Sequence, residues 1–113
     1  MQINKSTDGP VTILEPLGDM GLYNLGQLRT LLQELRADGN TKVLLDMGKV
    51  PGIDSISIGF LIQETEFFIE QRGELKLARI SASVRKSLQV TETLQQLNVF
   101  DSVAAALDSF KRP

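Results

Sequence analysis

The chain has 113 residues, with 12 Lys and Arg against 14 Asp and Glu, and it contains neither histidine nor cysteine. That length suits one domain, residues 1–113, with a core that needs no cross-links. The missing residue types exclude disulfides, thiolate metal sites and every His-based catalytic dyad, and the balanced charge shows no basic stripe for nucleic acid. The totals favour a binding or regulatory module over an enzyme, with no cofactor and no metal. No run approaches the roughly 18 apolar residues of a membrane span, and Met1-Gln2-Ile3-Asn4-Lys5 lacks the apolar region of a signal peptide. A cytoplasmic location without membrane insertion is expected.

Residues 2–6 form a short strand candidate, and Thr7-Asp8-Gly9-Pro10 is a turn by composition. Residues 11–15 alternate well enough to pair with it as an antiparallel hairpin, ended by Pro16 and Gly18. Leu25, Leu28, Leu32 and Leu35 recur at helical spacing, with Leu31 beside them, and Asp38-Gly39-Asn40 supplies the stop. Residues 41–47 read as the central strand, which makes the connection a right-handed parallel crossover. A second helix is predicted over 56–72, stopped at Gly73, followed by a strand at 74–78 with one face wetter than the other. Ser81-Ala82-Ser83 opens a third helix carrying Val84 and Leu88. A short helical turn and a brief strand at 98–100 follow, and Asp101-Ser102 caps a last helix with Val103, Ala106, Leu107 and Phe110. The tail Lys111-Arg112-Pro113 is expected to fray. The order is β-β-α-β-α-β-α-(β)-α: an α/β fold with a mixed, mostly parallel sheet of four to five strands and about four helices, chiefly on one face.

The stretch 43–62 organises the rest. Val43-Leu44-Leu45-Asp46 is a buried strand by its aliphatic run, and Gly48 to Gly52 is a turn in which Pro51 bars helix at Val50. Asp54-Ser55 then stands where loop becomes helix. Both are ordinary N-cap residues, so plain capping is one reading, while an exposed hydroxyl there is also open to modification. The second helix carries more apolar surface than one face needs. Ile58, Leu61, Ile62, Phe68 and Ile69 form a sheet-facing stripe. Ile56, Phe60 and Phe67 lie on roughly the opposite side, covered either by neighbouring helices or by a partner protein.

The order of aliphatic strand ending in Asp46, loop, Ile53-Asp54-Ser55 and Gly59-bearing helix resembles the core signature of the STAS domain, the fold of bacterial anti-sigma factor antagonists. The likeness extends over nearly the whole chain, through Leu17-Gly18-Asp19, Val84-Arg85, Leu88 and Val99-Phe100-Asp101-Ser102. The resemblance implies partner switching: an anti-sigma factor that is also a serine protein kinase binds the unphosphorylated antagonist and is released once the serine is phosphorylated, and a phosphatase resets the cycle. By position it makes Ser55 the phosphoacceptor, in a loop formed with Gly52, Ile53 and Asp54, with Ile56, Phe60 and Phe67 as partner-binding residues. Where the family has Ser or Thr after the acceptor this chain has Ile56, and Ser57 replaces the following Gly, making Ser57 an alternative acceptor. A homodimer is compatible with the sequence. The alternative function is a constitutive STAS-domain subunit of a stress-signalling or lipid-transport complex, in which Ser55 only caps. An enzyme would require a metal pocket built from Asp19, Asp46 and Asp54.

Overall fold

The computed structural model describes residues 1–112. Strands β1 (Gln2–Asp8) and β2 (Val11–Leu17) form the hairpin; α1 (Gly26–Ala37), β3 (Lys42–Asp46), α2 (Ser55–Glu70), β4 (Glu74–Ala78), α3 (Ala82–Val90), a 3₁₀ turn (Leu94–Gln96), β5 (Val99–Phe100) and α4 (Val103–Phe110) follow. The sheet order is β1-β2-β3-β4-β5, with β1 antiparallel to β2 and every later neighbour parallel. Sequential parallel strands joined by crossovers of one hand put the connecting helices on one face. Leu28, Leu32 and Leu35 of α1, Ile58, Leu61 and Phe68 of α2, and Val84 and Leu88 of α3 accordingly pack with Val43, Leu45, Leu75 and Leu77 in the main core. Helix α4 covers the other face, where Ala106 and Phe110 meet Val11, Leu44 and Ala78.

Several details differ from expectation. Pro16 does not end β2 but pairs with Ile3 inside it; β3 borders β2 only along Thr12, Ile13 and Leu14, so the missing N–H falls beyond that ladder. Lys76, expected on the wetter face of β4, is buried because α4 lies over it. Its ammonium donates to Ser109 Oγ at 2.8 Å and sits 4.4 Å from the Phe110 ring centroid, which compensates its desolvation. Ile69, placed on the buried stripe, is 59% exposed in the last turn of α2. The stop of α2 also works differently. Arg72 takes the left-handed backbone (φ 60°), while Gly73 is required because a Cβ there would collide with the Thr41 carbonyl oxygen. In the tail, Lys111 caps α4 and Arg112 reaches back to Asp108 at 2.9 Å; Pro113 lies outside the described residues.

The loop after β3 is anchored from both sides. Asp46 receives Arg79 Nε at 2.8 Å and Nη2 at 3.1 Å, joining the ends of β3 and β4, and accepts the Gly48 amide at 3.1 Å. The loop then runs alongside the end of β2. Gly18 N donates to Lys49 O, Met20 N to Gly52 O, and Asp54 N to Met20 O, with Met20 and Ile53 bridged in parallel. The start of α2 is thereby fixed to the C-terminal ends of three strands.

Candidate functional site

Asp54 is the N-cap of α2, with extended backbone, and its Oδ1 accepts the Ser57 amide at 2.8 Å. Its other oxygen accepts the Leu22 amide at 3.0 Å, so one carboxylate ties the helix start to loop 19–24. Its pKa lies below the usual carboxylate value: the Ser57 amide does most and the nearby Ser57 side chain contributes next, while desolvation opposes them by more than the Leu22 amide adds. Loop 19–24 is itself braced by Asn24, which accepts the Gly21 amide at 2.7 Å and donates to the Asp19 carbonyl.

Because Asp54 does the capping, Ser55 does not. Ser55 is the first residue of α2, exposed, and its hydroxyl makes no hydrogen bond among the described residues. The competing expectation that Ser55 serves only as a cap is therefore not met by this geometry. Ser57, the alternative acceptor, is corrected by burial. Its side chain is fully enclosed and its Oγ lies near the Asp54 carboxylate without reaching hydrogen-bond geometry, so no kinase can approach it in the folded domain. Gly52 and Ile53 are half-buried, held by the contacts to Met20.

The apolar residues expected to form one partner surface separate. Phe60 is 6% exposed, enclosed within the core with the Arg29 guanidinium 5.3 Å from its ring centroid. Phe67 is half-buried beneath Arg36 at 4.9 Å. Both are thus covered by α1, which corrects their assignment as open docking residues. Ile56 lies one turn ahead of Phe60, beyond that cover, and remains 52% exposed. Arg36 also pairs with the buried Glu64, whose pKa is raised chiefly by burial and only partly restored by that arginine.

Beside Ile56 stand two residues that the sequence did not mark, Leu22 (57% exposed) and Tyr23 (fully exposed). With Ile56, Asp19 and Asp54 they line an open groove of about 580 Å³ between loop 19–24 and α2. Their only signal in the sequence is a pair of bulky apolar residues ahead of the helical period of α1. Asp19 and Asp54 share this groove, whereas Asp46 is held by Arg79, so the three carboxylates do not converge and no metal-binding group of three acids occurs among the described residues.

A sequence model described as the STAS domain matches residues 2–106. No curated protein sequence matches the chain significantly. Among solved structures, a proposed anti-sigma factor antagonist of Thermotoga maritima superimposes with a TM-score of 0.90 at 21% identity, covering 97% of this chain and 95% of its own. The anti-sigma factor antagonist SpoIIAA of Bacillus, in its unphosphorylated form, gives 0.76 at 15% identity, covering 99% and 100%. A sulfate transporter family protein of Wolinella succinogenes gives 0.74 at 25% identity, covering 95% and 89%.

Proposed function

The chain belongs to the STAS domain family, and from that membership we propose that it is an anti-sigma factor antagonist acting by partner switching, with Ser55 as its phosphoacceptor. The observation that carries this reading is the free, exposed Ser55 hydroxyl on the first turn of α2. The partner is a cytoplasmic anti-sigma factor that is also a serine protein kinase. In its phosphotransfer step, Ser55 Oγ attacks the γ-phosphorus of the partner's ATP, the bond to ADP breaks, and the hydroxyl proton passes to the kinase's base. A phosphatase reverses the modification by hydrolysis. The domain supplies the acceptor and a surface, and no catalytic group of its own.

Ile56, Leu22 and Tyr23 form the apolar part of the partner surface in this proposal. Leu22 and Ile56 are each a little over half exposed, so covering either is worth half of the roughly 1.5–3 kcal/mol of a fully buried aliphatic side chain. A phosphoryl group brings a charge of about −1.5 to −2 beside Ile56, on the α3 side of the helix start. A partner that seats apolar or acidic groups there must then desolvate a dianion, and the complex fails without the domain unfolding. The test measures binding of the anti-sigma partner to wild type, Ser55→Ala, and protein phosphorylated on Ser55. Wild type and Ser55→Ala should bind alike and the phosphorylated form at least tenfold more weakly; equal binding by all three would instead support a constitutive subunit.

A further inference from the structure

Helical geometry turns Ser55 away from the groove that holds Asp19 and Asp54. Ser55 and Ile58, one turn apart, border a second groove of about 330 Å³, between the start of α2 and the exposed side of α3. Its other walls are Ile53, Ser83, Lys86, Ser87, Val90 and Thr91. This lining contains one cation, four hydroxyls and no carboxylate. The groove on the far side of Asp54 contains two carboxylates and no cation. Lys86 is exposed and takes part in no ion pair among the described residues. The Thr91 hydroxyl is engaged by the Ser87 carbonyl, whereas the Ser83 and Ser87 hydroxyls have no hydrogen-bond partner among the described residues.

We propose that Lys86 is the internal counter-ion of a phosphoryl group on Ser55, with the Ser83 and Ser87 hydroxyls as neutral donors beside it. The inference rests on the reading of Ser55 as the acceptor. A phosphate there is repelled by Asp54 on one side and drawn toward α3 on the other. The four-carbon stem of Lys86 lets its ammonium follow the phosphate, and the first-turn amides of α2 add their donors. Lys86 thus directs the new charge toward α3 and sets how strongly the modified state is held.

The test installs phosphoserine at position 55 during synthesis, so that no kinase is needed, and follows the second ionisation of the phosphate by phosphorus NMR. It should titrate below the value of about 6 for an exposed phosphoserine. Lys86→Met should raise the midpoint by about half a unit, as expected of a solvent-screened pair. Lys86→Arg should restore it, and Lys5→Met on the distant β1 should leave it in place. A Lys86→Met protein whose phosphate titrates with wild type overturns the assignment; Lys86 is exposed and unpaired among the described residues, and a proton spectrum of each variant checks that the fold is kept. This outcome is independent of the partner. A Lys86 effect together with equal partner binding by both forms would defeat the switch while leaving the counter-ion in place.

Discussion

Removing the Asp54 carboxylate tests whether it, rather than Ser55, organises the site. Asp54→Ala deletes the acceptor of the Ser57 amide at 2.8 Å and of the Leu22 amide at 3.0 Å. Loss of an N-cap costs about 1 kcal/mol, within a range of roughly 0.5–2. The second bond is exposed and water replaces it in part, so it adds a fraction of that, for a total of about 1–2 kcal/mol. For a chain of 113 residues, an unfolding entropy of about 2.1 cal/mol/K per residue converts this to a drop in Tm of about 4–8 °C. Asp54→Asn keeps one oxygen acceptor and an equally good capping side chain, so it should remain within about 0.5 kcal/mol of wild type at pH 7. The two variants also separate by pH. The folded-state pKa of Asp54 lies below its ordinary value, so its charge-dependent contribution is complete above the unfolded pKa and is lost as pH falls through the folded one. The difference between wild type and Asp54→Asn should therefore be constant above about pH 4 and shrink below it. Urea denaturation followed by circular dichroism from pH 7 to pH 3 measures both effects. If Asp54→Ala matches wild type while Ser55→Ala loses about 1 kcal/mol, the capping assignment is wrong and the Ser55 hydroxyl is not free.

Two further variants probe the scaffold. Arg36→Met leaves Glu64, 4% exposed, without its ion-pair partner, and should cost about 3–5 kcal/mol at pH 7. Because burial already raises the Glu64 pKa, stability falls as pH rises from the unfolded value through the folded one, more steeply without Arg36; denaturation at pH 7 and pH 5 should show the deficit narrowing on acidification, and a pH-independent deficit would contradict it. Gly59→Ala adds a Cβ that meets nothing within 4 Å, so the gain in helix propensity should raise stability by about 0.8–1 kcal/mol, read as a higher midpoint in urea.

The strand order and helix positions were legible because each depends on a local pattern: the leucines of α1 at helical spacing, the aliphatic run of β3, Ser81 and Ser102 before their apolar turns. The errors arose where a distant contact decides. Asp54 and Ser55 are both good caps, and the choice is settled by the Leu22 amide, which arrives from 32 residues earlier. Phe60 and Phe67 look like an open stripe because their cover is a row of arginines on α1, whose guanidinium groups lie over aromatic rings while the sequence shows only charge. Lys76 reads as a solvent-facing residue until α4 is placed on it. Leu22 and Tyr23 belong to no period, so only the packing of their loop on Asp54 reveals them as a wall of the groove. Ser57 shows the limit of a residue-by-residue resemblance: the same side chain that would be a second acceptor in an open loop is enclosed once it lies inside the first turn.

The division of labour between Asp54 and Ser55 determines what phosphorylation costs the domain. Were the serine hydroxyl the cap, esterifying it would alter the bond that begins α2, and the switch would work by disturbing the helix. With Asp54 in that role the Ser57 and Ile58 amides already have their acceptors, in the aspartate side chain and carbonyl. The first-turn amides of Ser55 and Ile56 have no partner among the described residues, so an added phosphate meets free donors rather than displacing existing ones. Against them stands the Asp54 charge next door, which favours a phosphate swung toward α3. In the proposed switch the core and its hydrogen bonds therefore stay intact while the charge changes on the α3 side of the helix start, next to Ile56, and a partner that covers both Ile56 and the start of α3 meets that change before the fold does.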